Sequence, residues 1–253
     1  MNTEAAAPIE EPSGPRRCLF VSDVHLQAPG GAAEQQFLRF LRTEAVGAET
    51  LYILGDLFES WVGDDDAGHR EVIAALAELS GHGVACFLLH GNRDFLLGEG
   101  FCARTGCRLL PDPVIVQLGG EPVLLTHGDA LCTDDHAYQE LRTTVRAPAW
   151  QRRFLTLPLA TRELLANEAR AGSKSHTART PPRIMDVNAG AVDAVFKATR
   201  VRRMIHGHTH RPAIHDALAG GQAVQRIVLG AWYEQGSFLR CQDGQYALCE
   251  LPR

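Results

Sequence analysis

Along the first hundred residues the apolar positions switch repeatedly between two periods. Residues 18–22 read CLFVS, a nearly continuous β-rich run of the kind expected in a strand covered on both faces, and the strand is predicted to stop at Asp23. From residue 34 to 46, Phe37, Leu38, Leu41 and Ala45 recur at helical spacing and predict an amphipathic helix. Residues 51–54 repeat the strand pattern, 72–79 the helical one and 84–89 the strand again. Such alternation predicts an α/β arrangement, a layered sheet with helices outside.

The texture changes after Pro113. Residues 114–118 and 123–126 flank Gly119 and Gly120, which predicts a hairpin. Residues 133–183 then carry helical periodicity with almost no strand signal. They hold nine Lys or Arg against five Asp or Glu, leaving sixteen basic and twenty-five acidic residues elsewhere in the chain. This uneven charge marks 133–185 as an inserted helical cap between two parts of one core, 17–132 and 186–253. Strand character returns at 204–205, 224–229, 237–241 and 246–251.

Composition narrows the class. With 253 residues, 45% hydrophobic and 22% charged, the chain has enough apolar surface to bury a core. A net charge of −5 argues against a nucleic-acid partner. No apolar run is long enough to span a bilayer. Residues 1–16, acidic and rich in Ala and Pro, lack the features of a signal peptide and read as a disordered tail. Seven cysteines without a CxxC pair suit reduced thiols in the cytoplasm. Nothing in the pattern calls for an obligate protein partner.

Ligand-type residues recur where the predicted strands stop: Asp23 and His25, Asp56, Asn92 beside Arg93, His127, and His208 with His210. In open α/β sheets ligands bind beyond the carboxyl ends of the strands, so these clusters are expected to converge. Two carboxylates, an amide oxygen and four imidazoles form a mixed O/N donor set suited to Mn²⁺, Fe²⁺, Co²⁺ or Zn²⁺ rather than Ca²⁺. Seven donors exceed the needs of one four-coordinate ion and favour two ions sharing a carboxylate. Taken singly, each has a plainer explanation: Asp23 as a turn cap, Asn92 as turn chemistry, His127 as a hydrogen-bonded structural histidine. The ordered recurrence after successive strands is what separates the two.

In order, DxH, GD, GNRD, THGD and GHTH resemble the signature of the calcineurin-like metallophosphoesterase superfamily. The resemblance implies a two-sheet β-sandwich flanked by helices around a di-metal centre. It implies one ion on Asp23, His25, Asp56 and His210, and a second on Asp56, Asn92, His127 and His208. More local motifs, GDLFE with Trp61, Gly63, Asp64 and Asp65, GNRDFL, HGDALCTDD, IMDVN, HGHTHRP and LGAW, resemble the UDP-2,3-diacylglucosamine pyrophosphatases of lipid A biosynthesis. That likeness implies Mn²⁺ as cofactor and water attack on the α-phosphorus of UDP-2,3-diacylglucosamine. The products would be 2,3-diacylglucosamine 1-phosphate and UMP, formed at the cytoplasmic face of the inner membrane. It places substrate contacts on Asn92, Arg93, Asp135, Ser173 and His208, and in an ungapped reading on Thr177 and Thr180, where the family usually has Asn and Lys. Many superfamily members have a histidine after the Asn; here Arg93 stands there, which holds its proton at neutral pH. A phosphate leaving group needs no such proton, so the change favours a diphosphate substrate over a simple phosphomonoester. Pairing of Arg93 with Asp94 or another carboxylate is the alternative.

Within the insertion, Phe154, Leu155, Leu157, Leu159, Leu164 and Leu165 interleave with Arg152, Arg153 and Arg162. This is an apolar surface with basic edges, suited either to acyl chains and anionic lipid or to packing on the host domain. A soluble nucleotide or phosphodiester substrate would instead require a polar pocket under the insertion. A binding module on a degenerate phosphoesterase scaffold would require lost ligand types, and none of the seven is lost.

Overall fold

The computed structural model describes residues 17–27, 29–179, 181 and 184–252, so the expected tail lies outside the described residues. Strand β1 (Arg17–Val21) leads to helix α1 (Ala32–Thr43), which ends in a 3-10 turn at Ala45–Gly47. Next come β2 (Thr50–Ile53), α2 (Arg70–Gly81), β3 (Ala85–Leu88), α3 (Glu99–Thr105), β4 (Arg108–Leu109), β5 (Val114–Leu118) and β6 (Glu121–Leu125). Three helices come after them, α4 (His136–Val145), α5 (Pro148–Leu155) and α6 (Leu159–Arg179), then α7 (Ala189–Thr199). The chain closes with β7 (Arg203–His206), β8 (Ala213–Ala219), β9 (Gln222–Val228), β10 (Gly236–Gln242) and β11 (Gln245–Leu251).

The strands form two sheets, a six-stranded one in the order β11-β10-β1-β2-β3-β4 and a five-stranded one in the order β5-β6-β7-β9-β8. From β1 to β4 the pairing is parallel, as is β6 with β7 and β7 with β9. Alternate residues of β1 explain its continuous apolar run. Cys18 and Phe20 join the core between the sheets, while Leu19 and Val21 face the layer of α1 and α2. A smaller core under α7, built on Phe196, Met204 and Leu124, covers the second sheet. The β5–β6 hairpin turns through Gly119 and Gly120, both at positive φ, as a two-residue turn compatible with strand twist requires.

Four elements escape the sequence pattern. In β8, residues 214–218 are all exposed, so the strand lacks hydrophobic alternation. Strand β4 is two residues long. Helix α3 is seven residues long, its first-turn amides held by the Asp64 carboxylate. Helix α7 is capped by Asn188, which accepts from the Ala191 amide. Among the described residues, no helix is long and apolar enough to cross a membrane.

Candidate metal centre and substrate cleft

Each parallel strand ends at the same edge of the sandwich, and the loops beyond are stitched to one another by main-chain bonds. The Asp23 amide donates to the Gly55 carbonyl at 3.1 Å, the His25 amide to Asp56 O at 3.0 Å, and the Gly207 amide to His127 O at 2.9 Å. Close approach needs glycine at two places. A Cβ on Gly91 would collide with the Asp56 carboxylate and amide, and one on Gly207 with Ser22 and the Asp23 carboxylate. Asp23, His25, Asp56, His208 and His210 all have φ between 53° and 67°. Left-handed backbone costs a non-glycine residue on the order of 1–2 kcal/mol, and five such residues in one cluster mark a centre whose geometry is imposed by its surroundings.

The side chains meet. Asp23 Oδ1 lies 3.2 Å from His210 Nε2, and the other oxygen, Oδ2, accepts from the His208 amide at 2.9 Å. His25 Nε2 lies 3.2 Å from His210 Nε2, two ring nitrogens aimed at one point. Asp56 Oδ1 accepts from the Arg93 amide at 2.8 Å, which leaves Oδ2 at 3.8 Å from both His25 Nε2 and His127 Nε2. Asn92 Oδ1 stands 3.0 Å from His127 Nε2 and 2.9 Å from His208 Nδ1. Two donor groups emerge with all their atoms within 4.8 Å of one another: Asp23, His25 and His210, and Asp23, Asp56 and His127. Both carboxylates are buried. Facing nitrogens around buried carboxylates are arranged for divalent cations; Asp23 belongs to both groups, and Asp56 Oδ2 is equidistant from a histidine of each.

Electrostatics divide the two carboxylates. Burial opposes ionisation of Asp23, yet the His210 hydrogen bond and the charges of His210, His127 and His25 hold its carboxyl well below the usual range. For Asp56 burial prevails and pushes the carboxyl up to about 6. His127 is raised to about 9: burial opposes its charge, but Asp56 and Asp23 outweigh it. Burial and the neighbouring His127 push His208 down to about 3.

Several residues that sequence motifs contained without a role fasten the centre. Glu59 Oε2 pairs with His25 Nδ1 at 2.9 Å and turns Nε2 inward, while the Leu54 carbonyl does the same for His127 through Nδ1 at 2.9 Å. Asp94 accepts from the amides of Asp56, Leu57, Phe58 and Gly91, locking the second loop to the third. It makes no ion pair with Arg93; the Arg93 charge acts on Glu59, whose carboxyl burial pushes up but the His25 hydrogen bond and the Arg93 and His25 charges hold below its usual range. Asp129 receives Tyr138 Oη at 2.5 Å and Arg142 Nε at 2.7 Å, tying α4 to the loop of His127, and Arg146 donates to the Gly91 carbonyl at 2.8 Å. A carboxylate in a loop after a strand does not announce in sequence whether it binds an ion or backbone amides; for Asp94, the spacing to the amides exists only in three dimensions.

A cleft of about 640 Å³ opens beside the centre. Asn92 and Arg93 line its polar end; Trp61, Phe95, Leu96, Leu141, Val145, Trp150, Phe154, Leu157 and Leu165 make the rest largely apolar. Arg142, Arg146, Arg153 and Arg170 also line it, but its mostly apolar wall favours a ligand with a hydrocarbon part over a soluble nucleotide. Ser173 reaches the cleft from α6, whereas Asp135 caps α4 by accepting from the Tyr138 amide at 3.1 Å. The Thr177 side chain and all of Thr180 lie outside the described residues. Arg162 is not a basic edge of the insertion. It is 2% exposed, donates to the carbonyls of Val62 and Leu157, and pairs with Asp65, fastening α6 to the loop after β2.

The chain is similar to known proteins. Residues 16–212 match the calcineurin-like phosphoesterase family. A UDP-2,3-diacylglucosamine hydrolase of Stenotrophomonas maltophilia (strain K279a) is 50% identical over 244 residues, covering 93% of this chain and 98% of that one. One of the same description from Salmonella arizonae is 49% identical over 236 residues, covering 92% and 98%. Among solved structures, an archaeal phosphodiesterase is similar with a TM-score of 0.49 at 13% identity, covering 93% of this chain and 99% of that one.

Proposed function

The chain belongs to the calcineurin-like phosphoesterase family, and from that premise we propose that it is a metal-dependent hydrolase of the pyrophosphate bond of UDP-2,3-diacylglucosamine in lipid A biosynthesis. One observation carries the substrate choice: the apolar cleft runs from the candidate metal centre under α4, α5 and α6, with Arg93 and Asn92 at its mouth. A diacylated sugar phosphate has this same sequence of parts, anionic at one end and hydrocarbon beyond. We assign the insertion at 133–185 as a cap that closes over the acyl chains.

The donor set suits a pair of divalent first-row ions, and the family resemblance favours Mn²⁺ among them. Asp23, His25, Asp56 and His210 would hold one, and Asp56, Asn92, His127 and His208 the other. Bound there, divalent cations supply a lowered water pKa and offset charge on phosphorus. In the reaction a water oxygen bonds to the α-phosphorus while the bond to the bridging oxygen breaks. UMP and 2,3-diacylglucosamine 1-phosphate separate, each carrying a phosphate. Arg93 holds a permanent cation beside the developing charge. The leaving phosphate is a stable anion, so no side chain has to donate a proton to it. Glu59 and the Leu54 carbonyl keep His25 and His127 turned toward the centre, and Asp94 keeps Asp56 and Asn92 in register. Ser173 lines the cleft and contributes a substrate contact, while Asp135, Thr177 and Thr180 are substrate positions supported by the family resemblance alone.

Leu155 and Leu164 are exposed on α5 and α6, and Arg152 and Arg153 are exposed on α5. Apolar residues with nearby cations favour peripheral docking on the anionic cytoplasmic face of the inner membrane, where the substrate resides. The direct test is UMP release from the lipid substrate by purified protein. Release that requires Mn²⁺ is expected; its absence with Mn²⁺ present excludes the assignment.

A further inference from the structure

Tyr233 is the only aromatic residue among the described large apolar side chains that stand exposed, and it stands at the metal centre. Its ring lies parallel to the His25 imidazole, 5.3 Å away at 12°, and edge-on to His210 at 5.3 Å. The backbone leading into it is anchored. Trp232 is buried edge-on between Phe37 and Phe40, and its amide donates to the Asp23 carbonyl at 3.1 Å. Core packing therefore fixes the position of Tyr233 while leaving the residue 52% exposed. Tyr233 is not part of the apolar cleft, which opens past Asn92 and Arg93.

A nucleoside diphosphate sugar bearing acyl chains has two ends that leave the phosphates in different directions. If the acylated sugar occupies the cleft, the nucleoside must lie on another side of the centre. We propose that Tyr233 is the stacking platform for the nucleobase, on the His25 and His210 side. This inference rests on the function proposed above. Every base has a π-face, so a platform of this kind supplies affinity with little choice among bases. His25 below the ring and the buried Trp232 before it hold the platform in place before the ligand arrives, which reduces the ordering cost of binding.

The test is a calorimetric titration in the presence of Mn²⁺, with UMP and with ribose 5-phosphate as separate ligands. Wild type, Tyr233→Leu and Tyr233→Phe are compared. Tyr233→Leu is expected to weaken UMP binding by about fivefold or more while leaving ribose 5-phosphate unchanged. Tyr233→Phe, which keeps the ring, is expected to bind UMP as wild type does. Equal UMP affinity in wild type and Tyr233→Leu overturns the proposal, as does an equal loss for both ligands, which would make the ring a shield for the histidines. Hydrolysis of the lipid substrate by wild type, measured in parallel, separates the two layers: no hydrolysis refutes the proposed function, whatever the stacking result.

Discussion

Arg162→Met tests how the cap is fastened. The arginine is 2% exposed, and its stem would be matched closely by methionine, so apolar packing is largely kept. The loss is polar. Nε donates to the Leu157 carbonyl at 3.0 Å and Nη1 to the Val62 carbonyl, both bonds from a charged donor worth roughly 1.5–3 kcal/mol each. The pair with Asp65 adds little, since that carboxylate is 60% exposed and solvent screens it to about 0–1 kcal/mol. Relief of the buried charge offsets part of the loss, leaving an expected destabilisation of about 2–4 kcal/mol. Urea denaturation followed by tryptophan fluorescence measures it, with Trp61 and Trp150 in the cleft wall as reporters. Because α6 carries Leu165, Ala166, Ala169 and Ser173 into the cleft, KM for the lipid substrate should rise more than kcat falls. A variant within about 0.5 kcal/mol of wild type with unchanged KM would refute the fastening role and return Arg162 to the surface chemistry read from sequence.

The same contacts have other consequences. Glu59→Gln weakens the partner that orients His25 and should lower Mn²⁺ affinity by about 10- to 100-fold in a metal titration; unchanged affinity would remove Glu59 from the metal site. Asp94→Ala strips the acceptor from four amides and should cost about 3–5 kcal/mol in stability together with activity, whereas a stable, active variant would show the loops to be held otherwise. The Arg162 hydrogen bond holds the Asp65 carboxyl below its usual range, so that pair stabilises the fold above the unfolded value of about 3.9 and loses its contribution as pH falls through the lower folded value. In Asp65→Asn the small acid-side loss should vanish; an identical acid-side loss in urea titrations of both proteins would contradict the assignment. Arg93→Ala should lower kcat/KM on the diphosphate substrate, and an unchanged value sinks its role.

Much of this arrangement is legible in the chain because it depends on local order. Buried parallel strands must read as apolar runs, and the chain must turn at their ends, so Asp23, Asp56, Asn92 and His127 stand out as polar residues after β1, β2, β3 and β6. The alternation in α1 and α2 and the Gly119-Gly120 turn are equally local. Strand β8 was hidden because five of its seven residues face solvent, and α3 because seven residues are too few to show a period. The burial of Arg162 was hidden for a different reason. A long cation among leucines looks like a surface edge until Asp65 and the Val62 carbonyl, about a hundred residues upstream, are brought against it. The same holds for Asp94 and Asp129: which backbone amides and which helix they grip is decided by the packing of distant segments.

The reaction's central step is tested most directly by hydrolysing UDP-2,3-diacylglucosamine with purified protein and Mn²⁺ in ¹⁸O-enriched water. Attack at the α-phosphorus puts one labelled oxygen into UMP and none into 2,3-diacylglucosamine 1-phosphate. Label in the sugar phosphate, or hydrolysis that persists after Asp56→Asn, would contradict the account.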